Sequence, residues 1–325
     1  MKNRALFFCV LSILTVFLFV MDLCSGSIWL NAFSLFDSRS ADTMAYNILW
    51  NLRLPKAIVA ILSGAALSIS GLMMQTMFRN PLAGAYTLGV SSGASLGVAF
   101  VTMCSTLITW FPLYHFGTVF AAIAGSTAVL VMVLAVSRHV RSNVSLLIIG
   151  MMFGSIAGAL VSLMQKFANP DALKLFIIWT LGSLDSVGWT DLPMMLVVVL
   201  SGLMISILLI KPLNGLMMGE DYARGLGINI SHTRMGIVAA TGLLAGVTTA
   251  FCGLIAFVGV AVPHIARGLL GSSNHRLTMP ACALIGAMLL LVCDIVSSLF
   301  TYPLPVSTIS ALFGAPIIIW IILKN

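Results

Sequence analysis

The chain has 325 residues, of which 60% are hydrophobic and only 8% charged, where soluble domains carry about 25% charged residues. So little charge cannot cover a water-soluble surface, and the length prior of about two soluble domains gives way to composition. The formal net charge of +7 is a matter of membrane topology, as the loops show below, and gives no reason to invoke nucleic acid.

A spanning helix needs about 20 predominantly apolar residues, and such runs occupy most of the chain, predicting a single transmembrane domain over residues 1–325. Lys2 and Arg4 ahead of an apolar stretch suggest a signal peptide. The stretch is long for that role, no small-residue cleavage site follows it, and Cys24 lacks the small residue before it that a lipoprotein signal needs. Ala5–Cys24 is therefore read as a first spanning helix. Further runs follow at Ala57–Met77, Leu88–Trp110, Thr118–Val136, Val144–Gln165, Leu192–Ile210, Met235–Phe251, Leu254–Ile265, Met279–Phe300 and Val306–Leu323. The prediction is an all-α integral membrane protein of about ten helices, with Leu254–Ile265 too short to span simply and so tilted or half-buried.

Ten crossings put both termini on one side. With that side cytoplasmic, the inner loops and ends carry Lys2, Arg4, Arg79, Arg138, Arg141, Lys211, Arg224, Arg234, Arg267, Arg276 and Lys324, eleven of the sixteen basic residues, as the positive-inside rule requires. Seven of the nine acids, Asp22 and Asp294 among them, fall outside or near the outer face, and only Glu220 and Asp221 fall inside. The six cysteines include no Cys-x-x-Cys pair, so they read as helix packing in preference to a metal site or a disulfide framework.

Two outer segments, Ser25–Lys56 and Ala168–Asp191, are too long for tight turns and should each hold a short surface helix. Trp29, Trp50, Trp179 and Trp189 in or beside them read as interface anchors. Glycines recur every four residues at Gly89, Gly93 and Gly97, at Gly150, Gly154 and Gly158, and at Gly242 and Gly246. That spacing clears a strip on one helix face for close backbone approach, which serves packing within a bundle or a helix lining a moving pathway.

The junction FRNPLAGAYTLGVSSGASLG, from Phe78 to Gly97, is either a plain cytoplasmic turn or irregular backbone lining a pathway. The latter is tolerated at membrane depth only where protein or a water-filled cavity covers it. Asn80, Pro81, Leu82, Ser91 and Ser92, with Ser142 and Asn143 at the next inner turn, are the candidate pathway or gate residues. The longest inner loop, residues 211–234, contains GEDYARGLGI from Gly219 to Ile228. Glu220 and Arg224 suit an i, i+4 pair on a short helix, which Gly225 and Gly227 would end. Such a helix could seat in a groove on a partner protein; a solvated loop is the plainer alternative. His264 and Arg267 beside Pro263 offer the nearest thing to clustered polar chemistry, and a structural turn or snorkelling accounts for them better than catalysis.

Five segments carry a resemblance to a known family: RLPKAIVAILSGAALSISGLMMQ, the Phe78–Gly97 junction, GEDYARGLGI, GLIAFVGVAVPHIAR and LFGAPIIIWIILK. Together they make the chain, from about Arg53 to Lys324, resemble the FecCD-type permease subunits of bacterial importers for ferric siderophores, haem and cobalamin. The resemblance implies a homodimeric bundle in the inner (cytoplasmic) membrane with a substrate path at the dimer axis, two ATP-binding subunits on the cytoplasmic side and an extracytoplasmic substrate-binding protein. It implies that ATP and Mg are bound by the partner ATPase, and that this chain holds no cofactor, metal or catalytic residue. The absence of any Gly-Lys dipeptide excludes a P-loop here. It further implies that residues 211–234 form the coupling loop, with Gly219, Glu220, Ala223, Arg224, Leu226 and Gly227 at the motif positions and Ala223 on the docking face. Arg53 and Lys56 match two basic positions that meet acids of the binding protein. A third such position is Ser298 here, and the family's acid before the outer Leu-Pro is Pro303. The rival class, an ion-coupled secondary transporter, usually needs ionisable groups near the membrane midplane; the residue map places none there. Siderophore, haem and cobalamin stay open as substrates.

Overall fold

The computed structural model describes residues 2–26, 29–30, 44–103, 114–137, 140, 143–300 and 304–324. The expectations for Cys104, Arg138, Arg141, Ser142 and Pro303 lie outside them. Among the described residues helices are the main secondary structure, joined by short irregular stretches, with no strand. In chain order the helices are α1 (Lys2–Cys24), α2 (Met44–Ile48), α3 (Leu54–Phe78), α4 (Val90–Met103), α5 (Tyr114–Ser137), α6 (Asn143–Phe167), α7 (Pro170–Thr180), α8 (Leu192–Leu208), α9 (Ile210–Met218), α10 (Glu220–Gly225), α11 (Ile230–Cys252), α12 (Val258–Leu270), α13 (His275–Ser298) and α14 (Val306–Lys324).

Six described stretches are long and apolar enough to cross a bilayer. A seventh is α8 with α9, bent by 51°, and three shorter apolar helices lie in α4, α12 and α14. They correspond one to one with the ten predicted runs. The shortness of α12 has a visible cause. Its run opens in Gly253–Phe257, which is not helical, and Phe257 takes a left-handed conformation at φ 66° before the helix begins. This irregular stretch is covered by protein, with Ile255 buried, which is the condition for non-helical backbone at such a depth.

The centre of the bundle is α3, α11 and α13, whose faces are mostly buried, while α1, α5 and α6 turn most of their apolar side chains outward. Small residues let the central helices touch. A Cβ on Gly64 of α3 would collide with the backbone of Gly286 on α13, and one on Gly71 would collide with Gly259 on α12. Ser68 donates across this seam to the Cys282 carbonyl at 2.8 Å, and within its own helix to Gly64. The predicted glycine strips serve packing in the same way. Gly93 and Gly97 meet the backbone of α5 at Gly125 and Ala121, Gly89 meets Gly150 and Gly154, and Gly242 and Gly246 face Leu130 and Ser126. Gly158 faces open space. Without a hydrophobic drive between helices in lipid, such close contact is a main source of association.

The outer segment Ala168–Asp191 holds a short helix as predicted, α7, capped by the Asn169 side chain accepting from Ala172 N at 2.8 Å. In the other segment, Ser25–Lys56, residues 27–28 and 31–43 lie outside the described residues. Its described end, Met44–Arg53, runs through a π-helical turn, Leu49–Arg53, straight into α3, making one 35-residue stretch. Pro55, the second residue of α3, follows directly on this π-helical turn, in which Leu54 N–H reaches back to the Leu49 carbonyl. Tyr46, Trp50 and Trp189 stack in a row, and Trp189 Nε1 donates to the Trp50 carbonyl at 2.8 Å. Trp179 is half-buried beside Phe176.

Candidate transport site

Three regions matter: the corner formed by α9 and α10, a cavity beside the Asn80–Gly89 loop, and a charged cluster at the far end of α3.

Gly219 makes the corner by taking φ 128°, ψ 149°, a conformation open to glycine. Helix α10 then runs for six residues. Gly227 at φ 78° turns the chain back, and Ile228 N donates to the Ala223 carbonyl at 3.0 Å. The predicted short helix and its glycine stop are both present. The side chains sort differently from expectation. Ala223 is fully buried (0% exposed) and packs towards Gly215 of α9, so the placement of Ala223 on a docking face is corrected: it holds the corner together from inside. Glu220 reaches Arg224 only at 3.7 Å and binds Arg234 of α11 at 2.9 Å. Arg234 also donates to the Val140 carbonyl at 3.3 Å. What the corner shows to the outside is Asp221, Tyr222, Arg224 and Leu226, continued by Met217 and Met218 of α9. Sequence reasoning missed Met217, Met218 and Tyr222. The available signal was their position, large apolar side chains in the longest inner loop where no lipid covers them.

The cavity, about 540 Å³, lies between that loop, α6 and the start of α12. Of the predicted residues, Leu82 and Ser92 line it. Asn80 and Pro81 stand at the root of the loop, where Asn80 Oδ1 accepts from Leu82 N at 2.9 Å and His264 Nε2 donates to the Pro81 carbonyl at 2.9 Å. Ser91 is on the first turn of α4 but not in the lining, and Asn143 is the first residue of α6. The second wall is Gly150, Met151, Gly154 and Ser155 of α6 with Phe257, Gly259 and Val260; of these, only Gly150 and Gly154 carried a sequence reading, as a packing strip or as a helix lining a pathway, and here they do both. Among the described residues, none that lines it carries a formal charge. The wall offers hydroxyls, backbone amides and apolar surface.

At the other end of α3, Arg53 Nη1 donates to the Leu23 and Cys24 carbonyls at 2.9 and 3.0 Å, capping α1. Lys56 is 13% exposed at its side chain and pairs with Asp185 at 2.8 Å and Asp294 at 2.9 Å. Asp22, Ser25 and Ser298 join them around a cavity of about 230 Å³. Both basic residues thus have structural partners in this chain. The structural-turn reading of α12 also stands, since Arg267 donates to Gln75 Oε1 at 2.7 Å and Gln75 Nε2 to the Val260 carbonyl at 3.1 Å.

The model of the FecCD transport family matches residues 14–324. The chain belongs to the FecCD transport family. It is 36% identical over 316 residues to the vitamin B12 import system permease protein BtuC of Escherichia coli O6:K15:H31, covering 97% of this chain and 94% of the relative. The BtuC of Citrobacter koseri is 35% identical over 317 residues, with coverages of 97% and 93%. Among solved structures, an inward-facing metal-chelate type ABC transporter superposes with a TM-score of 0.85 at 30% identity, covering 97% of this chain and 98% of that one. PsaBC from Streptococcus pneumoniae shares the fold, with a TM-score of 0.57 at 15% identity, covering 88% and 98%. This FecCD-family chain is a multi-pass membrane permease of the ABC importer type, and its curated relatives are import-system permease proteins.

Proposed function

We propose that the chain moves a metal chelate across the bacterial inner membrane, with cobalamin the first candidate and a ferric siderophore or haem the alternatives. It works as a homodimer with two ATP-binding subunits, which hold the ATP and Mg, and with an extracytoplasmic binding protein that delivers the cargo. Both termini are cytoplasmic. The chain itself binds no cofactor and breaks no bond.

The observation that carries this reading is the α9–α10 corner. It projects a compact patch of Tyr222, Leu226, Met217 and Met218 from a pair of short helices braced by Glu220–Arg234. An exposed apolar patch rimmed by charge marks a protein-binding surface, and a short helix seated in a groove is a recurrent way to fill one. The nearly full-length likeness to vitamin B12 permeases favours cobalamin, and the uncharged cavity suits a large cargo held weakly. Here Gly219 and Gly227 shape the corner, Glu220 and Ala223 brace it, and Arg224 and Leu226 face the ATPase. Arg53 and Lys56 stand at the outer end, where the binding protein docks.

The test is uptake into proteoliposomes holding the complete complex, with labelled cyanocobalamin, a ferric hydroxamate and haem offered in turn with the binding protein. ATP-dependent accumulation of one of them supports the reading and names the cargo. Uptake without the ATPase that collapses on adding an ionophore would support the secondary transporter instead, for which the buried Asp22–Lys56–Asp294 cluster would be the coupling site.

A further inference from the structure

Between the α9–α10 corner and the cavity loop lies a buried polar joint that the functional reading does not use. His275, the first residue of α13, is 1% exposed. Its Nδ1 lies 2.8 Å from Asn214 Oδ1 on α9, and its own backbone N–H donates to the same oxygen at 2.9 Å. Asn214 Nδ2 donates to Asn274 Oδ1 at 3.1 Å. Those two bonds fix which end of the Asn214 amide is oxygen, so Nδ1 of His275 is the donor. In the neutral ring Nε2 is then an acceptor, and it meets the Thr76 hydroxyl of α3 at 2.9 Å. Three helices are tied at one imidazole.

Thr76 stands at the root of the cavity loop. Helix α3 ends two residues later, and Arg79 turns left-handed at φ 47°, with its N–H on the Gln75 and Thr76 carbonyls. The chain then enters Asn80–Gly89, whose Leu82, Gly84 and Thr87 line the cavity. A second tie runs parallel, from Arg79 Nη2 to the Leu216 carbonyl of α9 at 3.3 Å. Asn214 lies five residues before Gly219, the hinge of the corner. The Thr76 hydroxyl also lies 2.9 Å from the Leu72 carbonyl of its own helix, so its single proton is shared between that carbonyl and Nε2; His275 grips the Asn214 oxygen twice, and a displacement of α9 relative to α3 has to break bonds at this joint.

We infer that the Thr76–His275–Asn214 network is a rigid strut that makes the α9–α10 corner and the Asn80–Gly89 loop move as one body, with His275 as a positioning residue for transport. This rests on the proposal that the corner docks the ATPase. The strut is what delivers the ATPase's movement to the wall of the cavity.

The experiment compares Asn214→Ala, His275→Leu and His275→Gln in the reconstituted complex, measuring ATP hydrolysis and labelled cyanocobalamin moved per ATP. Leu226→Asp, on the exposed corner, serves as the control for docking. Asn214→Ala leaves His275 and Thr76 in place on a half-buried helix position, so it tests the strut even where His275→Leu fails to assemble. The expected result is that Asn214→Ala and His275→Leu still bind the ATPase and hydrolyse ATP, while cargo moved per ATP falls about tenfold, within the usual range of coupling between sites. His275→Gln, which can bridge the same two partners, recovers most of it. Spin labels at the exposed positions Lys211 and Leu82 should keep one separation with and without trapped nucleotide in the parent and lose that constancy in Asn214→Ala. Normal cargo per ATP in Asn214→Ala, or a label separation that changes with nucleotide in the parent, overturns the strut. If Leu226→Asp also transports normally, it is the docking proposal that has failed; if Leu226→Asp loses ATPase binding while Asn214→Ala is normal, the strut alone is wrong.

Discussion

Lys56 shows how far a charge pattern can be read from one chain. Its place at the start of a spanning helix is evident, and a basic residue there suggests a role at the membrane surface. What cannot be read is that Asp185 and Asp294, far along the chain, close on it at 2.8 and 2.9 Å. Pairing of that kind is decided by which helices pack together. Breaking a buried pair by removing one partner costs about 3–5 kcal/mol, because the other charge is left uncompensated. Lys56→Met should therefore lower the melting temperature of the purified permease markedly, and Lys56→Met with Asp294→Asn should recover most of the loss. Thermal melts of both variants check this, and two equal melts would show that the pair is not structural. Salt-dependent association of the double variant with the binding protein then isolates any docking role, since rim charges act mainly on association rate.

Among elements, the ten apolar segments are legible because lipid imposes one simple demand, a long run without charge. The short helices α7 and α10 are legible too, from the length of Ala168–Asp191 at one and the glycines around the other. The orientation of α10 is not. One turn and a half has no periodicity to read, so Ala223, a motif position expected on the docking face, instead packs against α9 at 0% exposure. The consequence is testable. Ala223→Trp overpacks the α9–α10 contact, typically at a cost of about 1–3 kcal/mol, and should loosen the corner, detected as faster proteolysis between Lys211 and Arg234 together with lost transport. Tyr222→Ala and Leu226→Ser should leave proteolysis unchanged and weaken ATPase binding by about tenfold, a loss usual for an anchoring side chain. Equal proteolysis of Ala223→Trp and the parent would return Ala223 to the docking face.

At the scale of the whole molecule, the charge asymmetry between loops predicts that α7 is outside and α10 inside. An impermeant thiol reagent applied to intact cells should label Lys174→Cys and not Arg224→Cys, both exposed positions; the reverse pattern would invert the map. The cavity was only half visible beforehand. Leu82 and Ser92 stood out because proline and glycine interrupt an apolar stretch there. The α6 wall did not, since a small-residue face looks the same whether it meets a helix or an open space.

That wall also bears on how such a system diversifies. A cavity whose described lining carries no fixed charge has little means of rejecting a cargo by its ionic form, and scattered hydroxyls discriminate little among bulky chelates. Choice then falls to the protein that hands the cargo over. One channel body could be paired with a new delivery protein and acquire a new nutrient with few changes inside the membrane.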